Sequence, residues 1–416
     1  MKNSHNIIAY MKQRGLIADV SGEQGELDAW LHEAPRTIYY GFDPTADSLH
    51  VGHAVPLAVL RHLSKAGHTV IILAGGATGM IGDPSGRSEE RVMMSEETIQ
   101  KNAVIVTQQI KNILKDDSVI YVNNYDWYKN MNSLSFLRDI GKLVSVHSLL
   151  KRESVEIRLQ SENFFSYTEL SYSLLQGYDF AYLAEYHNCS VQVGGGDQWG
   201  NMLMGTDFSK KMFGKQAFAL ATPLLVDSKT GKKFGKSEGN AIWLDREKAT
   251  PYTMYQFFLQ ISDEDTALQL NIFTDKTEDE IADIMQQHEV DPSKRIAQHT
   301  LAYGALCIFH TEQDAIESQR ASELLFGGTT LNKISSQDIE ILQKVIPMIE
   351  IEPNQTLVSL LTESGTISSK REVLQLVDSK GLSINNEIVT DATTQIAETS
   401  LLKKGKKDYF LVFVKN

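Results

Sequence analysis

The chain of 416 residues is long enough for two or three packed domains, and 42% hydrophobic with 22% charged residues is a globular make-up. A net charge of −13 argues against a nucleic-acid coat or an anionic-membrane partner, and no run of about 18 apolar residues offers a membrane span. The two cysteines, Cys189 and Cys307, fit neither a disulfide framework nor zinc spacing, and MKNSHNIIAYMKQRG lacks a signal-peptide core, so a cytoplasmic protein is expected.

The β-rich TIYYGF, residues 37–42, leads through DPT into LHVGHAVPLAVLRHLSKAGH, a helical pattern closed by Gly67. His50 and His53 share a face of its first turn, where unpaired N–H groups and a partly positive helix end favour an anion. Gly52 would let a flat base or ribose approach the backbone. Pro56 is tolerated only near a helix start, which puts the histidines at the mouth. Ordinary surface histidines are the alternative; the strand–turn–helix context favours nucleotide phosphate. The buried strand TVIILAGG follows. GGATGMIGDPSGRSEER, residues 75–91, lacks GxGxxG spacing and carries Asp83, then Arg87 and Arg91 four apart, on a loop that also reads as a solvated surface.

A charged helical stretch at about 132–163 reads as an insertion between strands. In ELSYSLLQGYDFAYLAEY, Tyr172, Gln176 and Asp179 fall on one stripe of an otherwise apolar helix. Buried there, they need partners, either a small polar ligand or an internal hydrogen-bond network. After the strand CSVQV, the turn GGGDQWGN admits a ligand closely, and Asp197 suits ribose hydroxyls or an ammonium. GKKFGKS, residues 231–237, falls one residue short of a Walker A loop. It leaves Lys233 and Lys236 as a phosphate clamp or as a solvated hairpin. Alternating strands and helices predict a parallel α/β sheet with its ligand outside the strand carboxyl ends.

Beyond that loop the pattern turns all-helical. Thr250-Pro251 and Asp291-Pro292 each read as an N-cap followed by Pro, and Thr277 with Glu280 as a capping box. The helical pattern ends near Phe326, and Gly327-Gly328 opens a polar stretch. A last module starts near Asn354, with a capped helix in SSKREVLQLVDSKG and a hairpin about Asn385-Asn386. From Asn354 onward, 8 Lys/Arg against 7 Asp/Glu give +1 within an acidic chain, with Lys403, Lys404, Lys406 and Lys407 clustered. A nucleic-acid partner for this tail therefore stays open.

Taken together and in order, these motifs resemble a bacterial-type tyrosyl-tRNA synthetase, a class I aminoacyl-tRNA synthetase. HVGH is similar to the HIGH signature and KFGKS to KMSKS. YYGFDPTADSLHVGH, GGATGMIGDPSG, SYSLLQGYDF and GGGDQWGN resemble the tyrosine-specific blocks, and the tail resembles an αL RNA-binding motif. The resemblance implies a Rossmann-like catalytic domain over 1–230 and a signature loop and linker over 231–246. It further implies a helical anticodon-recognition domain over 247–326, a linker over 327–353 and an αL-type domain over 354–416.

It also implies roles. Tyr39 and Asp179 bind the substrate phenol; Tyr172, Gln176 and Asp83 its ammonium; Gln192 completes the tyrosine site. His50, His53, Lys233, Lys236, Arg87 and Arg91 are the catalytic set around the ATP phosphates. Gly41, Asp43, Gly52, Asp197 and Gln198 join His50, His53 and Lys236 in holding ATP. Tyr40 stands where many relatives carry Cys. Expected partners are ATP, L-tyrosine, tRNA(Tyr) and a second subunit; no cofactor is built in, and Mg2+ accompanies ATP. A coenzyme-forming adenylyltransferase would explain the histidines but not the aromatic–carboxylate pocket. A retired synthetase serving only as an RNA-binding protein would not need both signatures.

Overall fold

The computed structural model describes residues 6–85, 93–160, 163–226, 228, 236–237, 240–327, 334–405 and 408–415. The chain forms two compact units, Met1–Thr250 with Gln260–His310, and Pro251–Leu259 with Thr311–Asn416.

The first unit is built on a six-stranded sheet of β1 (Asp19–Val20), β2 (Thr37–Phe42), β3 (Thr69–Ala74), β4 (Ile120–Asn123), β5 (Cys189–Gly195) and β6 (Phe218–Thr222). The order is β1-β6-β5-β2-β3-β4. All pairs are parallel except the edge strand β1, which runs antiparallel to β6. The predicted parallel α/β sheet is thus present, with an edge strand too short for any periodicity to announce. From β2 the chain crosses to β3 on one side, while β5 lies on the other. The carboxyl ends of β2 and β5 therefore frame the switch-point crevice where such sheets bind ligands.

Helix Ala54–Lys65 covers the sheet with Val55, Leu57, Val59, Leu60 and Leu63. Pro56 is its third residue, as a proline near a helix start should be, and Gly67 closes it at φ +97°. The Tyr167–Tyr186 helix packs closely on Trp199–Phe213. A Cβ on Gly205 would lie 2.7 Å from Phe180 Cβ, so only glycine permits this approach. Short helical turns fill the stretch between Ser133 and Gln160. Its Arg158, 0% exposed, forms a two-pronged ion pair with Glu169 at 2.8 and 2.9 Å. That pair ties the insertion to the first turn of the Tyr167–Tyr186 helix.

Helices Asp263–Phe273, Glu278–Val290 and Ile296–Phe309 complete this unit. The Thr277–Glu280 capping box is present. Asp291 stands at an N-cap with Pro292 following it, as predicted, but the element it opens is only a three-residue turn, Pro292–Lys294, and its carboxylate accepts from the Ser293 hydroxyl at 2.5 Å.

In the second unit a mixed sheet contains β9 (Met348–Ile351), β11 (Leu382–Ile384), β12 (Glu387–Ile388), β14 (Ser400–Lys404) and β15 (Asp408–Val414). A separate pair joins β10 (Gln355–Thr356) to β13 (Gln395–Ile396). Asn385 and Asn386 take φ of 49° and 68°, the left-handed pair of the predicted hairpin turn between β11 and β12. The sheet is buried on both faces. Leu402 and Val412 pack with Leu357, Leu360 and Val373, while Leu401 and Leu411 pack with Leu324, Leu325 and Leu342. Adjacent residues on one strand thus serve opposite cores. Among the described residues of the chain, no helix is long and apolar enough to cross a membrane.

Candidate active site

A cavity of about 730 Å³ opens at the carboxyl ends of β2 and β5, the size of a small-molecule site. Thirteen of the seventeen residues singled out from sequence line it: Tyr39, Gly41, Asp43, His50, Gly52, His53, Asp83, Tyr172, Gln176, Asp179, Gln192, Asp197 and Gln198. Lys233, Arg87 and Arg91 lie outside the described residues. The Lys236 backbone lies in β7 (Lys236–Ser237), paired with β8 (Asn240–Ala241). Ala241 lines the cavity, and just beyond it Val51 N donates to Ile242 O at 3.0 Å while Leu49 O accepts from Leu244 N at 2.8 Å. The signature loop is therefore stitched at its far end to the backbone of HVGH.

The apolar end of the cavity is organised around Tyr39, which neighbours Gln192 across the β2–β5 register. The Tyr39 ring meets Phe180 edge-on, with centroids 5.1 Å apart. Its hydroxyl and Gln192 Oε1 are buried with no hydrogen-bond partner among the described residues. Burial, reinforced by the charge of Asp179, holds the Tyr39 phenol well above its ordinary pKa. Asp179, 2% exposed, accepts from Asn124 Nδ2 at 3.0 Å and Trp127 Nε1 at 2.9 Å. Burial pushes its carboxyl up to about 7, against the pull of those donors and of Tyr128. A buried hydroxyl without a partner, in the same cavity as a carboxyl raised by burial, is a costly arrangement. It suits a ligand that both donates and accepts.

Toward the polar end, Tyr172 donates to Asp43 at 2.7 Å and Thr78 donates to the other Asp43 oxygen, also at 2.7 Å. Asp83 accepts from Gln198 Nε2 at 2.6 Å and from Ser85 N at 2.9 Å. Gln176 and Gln198 both accept from Asn201 Nδ2, at 3.0 and 3.4 Å. Tyr40, on the opposite face of β2, is buried, and burial together with Asp197 raises its phenol.

At HVGH the structure corrects one expectation. The first-turn N–H groups are not all open to an anion, because the histidines cap them. His50 Nδ1 accepts from Gly52 N at 3.0 Å, and His53 Nδ1 lies 3.3 Å from His50 N in a reciprocal box. The turn is a tight Val51–His53 coil preceding the α-helix, so the rings fold back over it. A Cβ on Gly52 would lie 2.7 Å from the His50 ring, which gives the glycine a second purpose. With Nδ1 accepting, neutral His50 carries its proton on Nε2, a donor suited to phosphate oxygen.

Sequence reasoning missed Thr78, Asn124 and Trp127, which hold Asp43 and Asp179, and Asn201, which lies within a quoted motif. Asn124 and Trp127 follow the carboxyl end of β4, so their place beside a parallel strand was the available signal.

The model for class I tRNA synthetases (W and Y) matches residues 31–327, and that for the SYY-like C-terminal domain of tyrosine–tRNA ligase matches 338–412. The tyrosine–tRNA ligase of Cronobacter sakazakii is 40% identical over 422 residues, covering 98% of each chain. That of Salmonella arizonae is likewise 40% identical with the same coverage. A C-terminally truncated mitochondrial tyrosyl-tRNA synthetase from Aspergillus nidulans superposes with a TM-score of 0.70 at 31% identity, covering 77% of this chain and 94% of its own. A tryptophanyl-tRNA synthetase from Encephalitozoon cuniculi, at 16% identity and TM-score 0.54, shares the fold. With both of its parts matched and its relatives aligned end to end, the chain belongs to the tyrosine–tRNA ligase family of class I aminoacyl-tRNA synthetases.

Proposed function

We propose that the cavity binds L-tyrosine with its phenol between Tyr39 and Asp179 and ATP across the HVGH turn, joins them as tyrosyl-adenylate, and passes the tyrosyl group to the 3′-terminal ribose of tRNA(Tyr). The observation that carries this reading is the buried, unpartnered Tyr39 hydroxyl in the same cavity as Asp179, whose carboxyl is raised to about 7. A phenol donates to the carboxylate and accepts from Tyr39, satisfying both. An indole N–H would serve Asp179 but leave Tyr39 without an acceptor, which disfavours tryptophan.

The substrate carboxylate is already a nucleophile, so attack on the α-phosphate needs no general base. Catalysis is in-line positioning plus stabilisation of the charge that develops on the departing pyrophosphate. His50 and His53 would supply donors at the helix mouth, and Lys233, Lys236, Arg87 and Arg91 the cationic clamp. Mg2+ would enter with ATP as its counterion. Tyr172, Gln176 and Asp83 would hold the ammonium, and Gln192 would complete the pocket. Gly41, Asp43, Gly52, Asp197 and Gln198 would face the nucleotide and the reacting carboxylate. Tyrosine-dependent ATP–pyrophosphate exchange, with phenylalanine and tryptophan as controls, tests the reading; exchange without tyrosine dependence overturns it.

We also propose a homodimer working in the cytoplasm, where ATP and tRNA are found. Leu134, Val146, Phe164 and Tyr167, in and beside the insertion, are 77%, 67%, 76% and 67% exposed, an apolar display that a second copy would cover. Light scattering of the purified protein checks this, and a monomer at micromolar concentration rejects it.

A further inference from the structure

Asn201 is 5% exposed and lies in the first turn of the Trp199–Phe213 helix. Its amide nitrogen faces Gln176 Oε1 at 3.0 Å and Gln198 Oε1 at 3.4 Å, and its oxygen faces Arg152 Nη1 at 3.4 Å. Gln198 in turn gives Nε2 to Asp83 at 2.6 Å. Every amide in such a chain can in principle turn end for end, exchanging donor for acceptor. The two ends cannot. Both Asp83 oxygens accept N–H, from Gln198 and Ser85, and the Arg152 guanidinium only donates. Asp83 therefore demands the nitrogen of Gln198, which turns the Gln198 oxygen to Asn201. Asn201 must then offer nitrogen, and its oxygen finds Arg152. The same nitrogen compels Gln176 to present its oxygen.

We infer that Asn201 and Arg152 are positioning residues that fix the donor–acceptor polarity of two cavity amides, Gln176 at the proposed ammonium site and Gln198 at the reacting carboxylate. The inference rests on reading the cavity as the tyrosine-activating site and specifies how its amides are set. It gives a chemical reason for Arg152, an insertion residue that burial lowers to about 10 and that still carries its charge at neutral pH. Substrate recognition depends on that polarity. An ammonium needs carbonyl oxygen, and a turned glutamine would meet it with N–H.

Asn201→Asp keeps size and shape but replaces the donor by a second acceptor. Asp83 and the new carboxylate then compete for the Gln198 nitrogen, and Gln176 is drawn to reverse. Asn201→Ala removes the constraint without imposing the opposite one. A purely structural role ranks the isosteric Asp above Ala; polarity setting ranks it below. Steady-state exchange kinetics on the full chain, with L-tyrosine and MgATP, should give kcat/KM for tyrosine about tenfold lower for Asn201→Asp than for Asn201→Ala. Circular dichroism melts confirm that both variants are folded. Asn201→Asp equal to or better than Asn201→Ala overturns the inference. Should Asn201→Asp not fold, Arg152 decides the matter. Arg152→Lys keeps a donor-only group and should stay within about threefold of wild type, whereas Arg152→Gln should raise the tyrosine KM about tenfold. Equal effects of these two overturn it. Wild-type exchange that ignores tyrosine would instead undo the functional reading beneath it.

Discussion

At the residue scale, the proposed recognition of tyrosine turns on Tyr39 and Asp179. Tyr39→Phe removes the donor proposed to answer a substrate phenol oxygen, so kcat/KM for tyrosine should fall about tenfold while phenylalanine use is unchanged or improved. Competitive exchange assays with both amino acids read this directly. The raised carboxyl of Asp179 adds a pH signature. Its folded pKa of about 7 exceeds the unfolded value of about 3.9. Protonated, it favours the empty fold below the unfolded value, and that contribution is lost as pH rises through about 7. Tyrosine binding follows the opposite sign, because the phenol donates best to the ionised carboxylate. The stabilisation conferred by tyrosine, measured as a thermal shift at fixed concentration, should therefore grow from pH 6 to pH 8. Asp179→Asn should flatten the profile; an unchanged slope in that variant would assign the titration elsewhere.

At the scale of elements, the links between segments matter as much as the segments. Glu169→Ala would leave Arg158 buried and uncompensated, at a cost of about 3–5 kcal/mol by denaturant unfolding, and the double change Arg158→Met with Glu169→Leu should recover most of it. Lys236→Ala should slow tyrosine activation by roughly 10²–10³ while leaving the tyrosine dissociation constant nearly constant, as loss of one phosphate donor predicts. Single-turnover adenylate formation separates the two quantities. Periodicity and turn residues were enough to read β2, β3, the Tyr167–Tyr186 stripe and the Asn385-Asn386 hairpin, because each is a local pattern. The partners of those residues were not legible. Asn124 reaches Asp179 and Arg158 reaches Glu169 only through the topology of the sheet and the return of the insertion. The histidine caps escaped for another reason: His is a rare capping residue, and an anion site was the simpler use of the same turn.

For the whole molecule, the C-terminal sheet is not an appendage. Leu401, Tyr409 and Leu411 close a core with Leu324, Leu325 and Leu342, so a cut near Pro353 would bare that apolar surface. Such a truncation should lose solubility, and charge reversal is the cleaner probe of tRNA binding. Lys370→Glu with Arg371→Glu, at the exposed start of the Lys370–Asp378 helix, should leave pyrophosphate exchange intact. Transfer to tRNA should weaken, and the salt dependence of tRNA binding should become shallower. Equal loss of both half-reactions would rule out a dedicated RNA contact.

The second unit draws helix Pro251–Leu259 from far upstream of its companions. On the ribosome that helix leaves the tunnel while roughly fifty residues still separate it from Thr311, a wait of about 3–10 s at the usual 5–20 residues per second. Throughout that interval the helix, with Met254, Tyr255 and Phe258 buried in the finished fold, lacks the Glu312–Phe326 helix on which it packs. The nascent chain is thus most exposed to trigger-type chaperones and to misassociation between its third and fourth quarters, well after the catalytic sheet has all its strands.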